Sequence, residues 1–272
     1  YILRQLGAFD SFISMLANFF AEPWQTAQAE LADADKAVLF SLAGFALRAV
    51  GRLDEATQPM QAGLAMRIEQ ENWQESAINA SNLSELSLTL GKVAAAVSYG
   101  EQSVTLADKS GDDFAMEARR TDHADALHQA GQAQAAKKRF IEAEQMQQKR
   151  QSDYAFLYSV RGFLFCDLLL VLGQTEDVLA RANKALSIVL AGSRNLLDIA
   201  LNRLTFGKAL MQQAIAEHST DFDPAMKYLH QAVAGLRDAG QQQYLPLGLL
   251  ARASLYRVQG DFDNAWIDLE EV

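Results

Sequence analysis

The amino-acid sequence predicts an all-α protein, an array of about six helix hairpins preceded by a short helical cap. The first observation is a pattern that recurs about every 40 residues: a small residue, a Gly seven positions on, and an Ala or its equivalent twelve positions on. The second is helical spacing of apolar residues on either side of each Gly, as in residues 77–90 with Ile78, Leu83, Leu86, Leu88 and Leu90 before Gly91. The third is composition: half the residues are apolar, yet only 9% are aromatic and 4 are Pro, so the core rests on Ala and Leu at close helix contacts. A period of this size means stacked hairpins, whose usual work is binding.

Taken in order, residues 1–33 stand outside the period and form the cap. Leu3, Leu6, Phe9, Phe12, Ile13, Leu16 and Phe20 recur at helical spacing, Pro23-Trp24 breaks that helix, and residues 26–31 read as a second short one. The array then fills residues 34–272, with repeats at approximately 37–76, 77–116, 117–158, 159–199, 200–245 and 246–272. The trios are Gly44, Gly51, Ala56; Ser84, Gly91, Ala96; Ala124, Gly131, Ala136; Cys166, Gly173, Val178; and Ala253, Gly260, Ala265. A stretched fifth copy has Gly207 and Ala225 without a turn Gly, so its first helix extends through residues 212–218 and Asp223-Pro224 opens the second. Helices of about 14 residues would be about 21 Å long and unstable alone. The small residues let the two helices of each hairpin approach closely.

Small residue at position 8, Gly at 15, Ala at 20 and a large apolar residue near 24 (Met60 and Phe140), together with Leu90-Gly91, Leu172-Gly173 and Asn82-Leu83-Ser84, make the chain resemble the tetratricopeptide repeat family. Gly100 and Ala182 depart from it at position 24. The long period is similar to the arrays of kinesin light chains and of bacterial STAND-type signalling ATPases. The resemblance implies a right-handed superhelix, or solenoid, whose first-helix positions 2, 5, 9 and 12 face a concave groove. Those positions include Phe45 and Arg48; Ser81 and Glu85; Thr121, Asp125 and His128; Phe163 and Asp167; and Lys208. Glu85, Asp125 and Asp167 then share one row among apolar neighbours, complementary to a peptide or protein segment carrying Lys or Arg between apolar side chains. The alternative is that these acids are solvated and paired with Arg119, Arg120, Arg161 or Arg203. Asn82 sits at position 6, where the kinesin-light-chain-like repeats use an Asn to hold a peptide backbone.

A formal charge of −10 and a pI near 4.9 argue against nucleic acid as a partner, because phosphate binding needs a cationic face. One Cys excludes an intramolecular disulfide, and a reducing cytoplasm is the simplest setting. Residues 12–20 are too short to span a bilayer, so no membrane partner is expected. Asp122, His123, Asp125 and His128 cluster without a full metal-ligand set, and His123 falls where it packs between helices. Cys166 occupies a buried small-residue position. Gly91-Lys92-Val93 and Gly207-Lys208-Ala209 lack the remainder of a phosphate loop. No catalysis and no cofactor are expected. The opening Tyr1 and the end inside a second helix read as an excised piece, the sensor or interaction arm of a larger bacterial signalling protein. Self-association through end helices is the alternative function, and a small-molecule sensor would need a closed pocket.

Overall fold

A computed structural model of the chain describes residues 9–192, 194–240 and 243–272. Among them are thirteen α-helices and one two-stranded β-hairpin. The cap is α1 (Phe9–Ala17), followed by β1 (Phe20–Glu22) paired antiparallel with β2 (Thr26–Ala27). Hairpins follow as α2 (Asp33–Ala49) with α3 (Leu53–Glu69), α4 (Trp73–Thr89) with α5 (Val93–Ser110), and α6 (Asp113–Gln129) with α7 (Ala133–Arg150). The remaining pairs are α8 (Ser159–Val171) with α9 (Thr175–Ala191), α10 (Leu196–Ala216) with α11 (Asp223–Ala239), and α12 (Leu245–Gln259) with α13 (Phe262–Glu271). The chain divides into two compact units between Met146 and Gln147. It is an all-α helical-repeat fold.

In the cap, the predicted helix over residues 26–31 is a correction: Thr26 and Ala27 form a strand instead. Trp24 adopts φ +65°, which reverses the chain after Pro23 and sets β2 alongside β1. Trp24, Phe20 and Ala27 are buried there against α2, with the Phe20 ring edge-on to both Trp24 and Phe40 at 5.3 Å. Leu3 and Leu6 lie outside the described residues.

The repeat helices are longer than the sequence pattern implies, 17 residues in α4 and in α6, about 25 Å each. They begin at Trp73 and Asp113 because polar caps precede the apolar periodicity. Asn72 accepts the Glu75 N–H at 3.3 Å and Asp112 accepts the Ala115 N–H at 2.6 Å. Each hairpin then closes alike. Gly51 turns at φ +78°, and the Arg52 N–H returns to the Leu47 carbonyl at 2.9 Å; Gly91, Gly131, Gly173 and Gly260 repeat the turn. In the stretched copy α10 stops at Ala216, short of the expected extension. His218 adopts φ +53° at the equivalent place, and the Ser219 N–H reaches the Ala214 carbonyl at 2.9 Å.

Close approach within hairpins involves position 24 as well as position 20. Ser84 Oγ donates to the Ala96 carbonyl at 2.7 Å, the expected 8-to-20 crossing. At Gly207, however, an added Cβ would lie 2.5 Å from Leu229 Cδ2, and at Gly44 it would collide with Met60. Leu229 and Met60 are the position-24 residues. In the second copy position 24 is Gly100, and the space beside it is taken by His123 of α6. Position 8 is therefore glycine where the facing position 24 is Met60 or Leu229.

Candidate functional site

In the first unit, polar bonds spaced about one period apart set the first helices side by side. Asn79 Nδ2 donates to Ser41 Oγ at 3.3 Å and Arg48 Nη2 to Glu85 Oε2 at 2.6 Å, joining α2 to α4. Ser81 Oγ donates to Asp122 Oδ2 at 2.7 Å, joining α4 to α6. This seam decides which predicted groove residues are accessible. Ser81 and Thr121 are 1% and 0% exposed, and Thr121 Oγ1 donates to its own helix at the Ala118 carbonyl. Ser81 and Thr121 thus offer nothing to a ligand.

Position 9 stays open. Phe45 is 54% exposed, with its ring 6.1 Å from that of Phe9. Val38 and Leu42 are exposed on the same side of α2, at i, i+4 and i+7 with Phe45, and form an apolar stripe. Leu42 falls at position 6, outside the expected groove positions 2, 5, 9 and 12. Asn82 and His128 are half-buried on α4 and α6.

The acids are not equivalent. Arg48 neutralises Glu85. Arg119 pairs with Asp122 at 3.2 Å and Arg120 with Asp108 at 2.8 Å, so neither serves Glu85 or Asp125. Asp125 has no Lys or Arg within ion-pair distance among the described residues, and its recorded hydrogen bond is from Gln129 at 3.4 Å. Burial, reinforced by Asp122 and Glu85, raises its carboxyl to about 6. The first unit therefore presents an apolar stripe on α2 and an uncompensated acid on α6.

In the second unit Phe163 is 7% exposed and belongs to a core with Leu201 and Leu204. Asp167 is in direct contact with the Lys208 ammonium, joining α8 to α10, while burial lowers Lys208 to about 8. Asp167 and Lys208 bind each other rather than facing outward as a free pair.

With this geometry in hand, comparison with solved structures gives a clear likeness of fold. The chain is similar to RapI in its apo form, with a TM-score of 0.69 and 10% identity over 97% of this chain and 87% of that one. It is also similar to BtubC (BKLC) from P. vanneervenii, with a TM-score of 0.53 and 14% identity over 89% and 90%. No protein-family model matches the chain, and no curated protein matches it by sequence. At these identities the likeness is one of fold alone.

His123 and Cys166 are both buried. His123 packs against Gly100 between α5 and α6, and desolvation lowers its pKa from the ordinary imidazole value. Cys166 is buried inside the α8 hairpin. Among the described residues, no three His, Cys, Asp or Glu side chains are grouped to hold a metal, and no helix is long and apolar enough to cross a membrane.

Proposed function

We propose that the chain is a non-catalytic scaffold that binds an extended protein or peptide segment across the first helices of the first unit, as the sensor or interaction arm of a larger signalling protein. The observation that carries this reading is the exposed stripe Val38, Leu42 and Phe45 in the same unit as Asp125, a carboxylate without a basic partner among the described residues. Exposed apolar side chains in a row lower their free energy by meeting others. A desolvated acid gains most from an incoming cation. The favoured segment is basic and apolar, with Arg48 and Glu85 framing it as an already neutral pair. Helical-repeat arrays commonly bind through such faces.

The test is fluorescence anisotropy with peptides that alternate Lys or Arg with Leu or Phe, against controls with Glu at the basic positions. Phe45→Asp and Asp125→Lys should each weaken binding about tenfold, roughly 1.4 kcal/mol, with circular dichroism unchanged. Peptide binding indifferent to both substitutions would refute the proposed face.

A further inference from the structure

The connection between α7 and α8 breaks the spacing of the array. In the first unit successive hairpins follow after two or three residues, whereas residues 151–158 intervene here. This longer loop is nevertheless held firmly. Gln147 Nε2 donates to the Phe156 carbonyl at 2.7 Å, Gln148 Nε2 to the Ala155 carbonyl at 2.5 Å, and the Tyr158 hydroxyl to Gln151 Oε1 at 3.3 Å. The Leu157 carbonyl lies so near α8 that a Cβ at residue 162 would collide with it, which is why Gly stands there. Ser159 takes φ +56°, a left-handed conformation costing about 1–2 kcal/mol without Gly. Its hydroxyl donates to Asp198 Oδ1 at 2.5 Å. Strain held by such bonds is a recurring mark of functional sites.

Between this loop, α9 and the start of α10 lies a cavity of about 410 Å³, within the ~300–1,000 Å³ range of small-molecule sites. Its aromatic wall is preorganised: the Tyr154 and Tyr158 rings lie 4.6 Å apart, and Arg181 holds Phe156 from 4.5 Å. Ile188 and Val189 supply the aliphatic wall. The charged lining is Lys184 and Asp198. Asp198 is committed, because it accepts from Ser159 and sits in the first turn of α10 where the helix dipole favours an anion. Lys184 is exposed, with no ion pair recorded among the described residues. A flat apolar ring with one anionic group suits both the walls and the unpaired ammonium.

We propose that this cavity binds a small planar aromatic carboxylate, its ring against the tyrosines and its carboxylate on Lys184. The site lies wholly in the second unit and does not depend on the peptide face. Isothermal titration of the full chain with 2-naphthoate, and with neutral 2-naphthylmethanol, tests it. The acid should bind saturably, and Lys184→Met should weaken it about tenfold while leaving the alcohol unchanged. Ala191→Trp, which fills the cavity from its rim, and Tyr154→Ser, which removes a wall, should each weaken both compounds with circular dichroism preserved. Phe45→Asp should leave naphthoate binding intact, which separates this site from the peptide face. No saturable naphthoate binding, or binding unaffected by Lys184→Met or by both wall variants, would overturn the proposal.

Discussion

Replacing Asp125 by Asn should stabilise the first unit at neutral pH and remove part of its pH dependence. Burial raises the Asp125 carboxyl from its ordinary 3.8 to about 6, with Asp122 and Glu85 adding repulsion. The folded state thus binds the proton more tightly than the unfolded chain does. Stability from the protonated carboxyl is complete below 3.8 and is lost as pH rises through 6. At 1.36 kcal/mol per pH unit the full loss has an upper bound of about 3 kcal/mol, and partial exposure screens it to about 1–2 kcal/mol. Asn keeps the shape and can still accept from Gln129, but it carries no charge to desolvate. Urea unfolding followed by fluorescence reads the first unit through Trp24 and Trp73, with Trp266, exposed on α13, changed to Phe in both proteins. At pH 7.5 the Asn variant should exceed its parent by about 1–2 kcal/mol, and the gap should shrink to about a third of that at pH 4.5. A gap equal at both pH values, or a variant less stable at pH 7.5, would refute desolvation as the cause.

Three further outcomes follow from the packing. His218→Gly should stabilise the second unit by about 1 kcal/mol, a rise of roughly 2–4 °C in its thermal midpoint, because His218 holds the left-handed turn that Gly holds in other hairpins. Gly207→Val should cost about 2–3 kcal/mol by driving a side chain into the fully buried Leu229; adding Leu229→Ala should recover part of that loss, giving a non-zero coupling in a double-mutant cycle by urea unfolding. Asp268→Ala should cost about 1–3 kcal/mol in chemical denaturation, since it removes the carboxylate that meets the Arg252 guanidinium at 2.6 Å in a nearly buried pair and leaves Arg252 with the His230 ring at 3.2 Å.

How far the sequence could be read follows from what a repeat pattern records. The Gly51, Gly91 and Gly131 turns were legible because a left-handed φ leaves few alternatives to Gly. The left-handed turn at His218 is not legible in the sequence, because a histidine carries no preference for that conformation comparable to glycine's. Helix starts were misplaced because Asn72 and Asp112 act through polar caps outside the apolar periodicity. The demand for glycine at position 8 is present in the sequence as two pairs, Gly44 with Met60 and Gly207 with Leu229. Reading it required the pairing of those positions across a hairpin. A repeat register places each helix by itself, whereas Ser81 is bonded to Asp122 of α6 and Phe163 is packed with Leu201 and Leu204 of α10. The cavity beside residues 151–158 belongs to a connection that departs from the repeat, and a repeat pattern is blind there.

Among the described residues, polar groups in this chain divide according to what they meet one period away. Ser41 meets Asn79, Arg48 meets Glu85, Ser81 meets Asp122, Ser159 meets Asp198 and Asp167 meets Lys208, all between neighbouring first helices. A hydrogen bond or ion pair in such a seam adds little net stability, about 0–1.5 kcal/mol. Its larger effect is specificity, since a slipped hairpin would leave the buried members, such as Ser81, without their partners. Stacking register therefore claims most of the charges that a repeat pattern alone would assign to a ligand. Phe45 packs near Phe9 of the cap but stays half exposed, Asp125 has no ion-pair partner among the described residues, and Lys184 lines the aromatic cavity. The register bonds leave these three uncommitted, which is why the two proposed recognition faces rest on them.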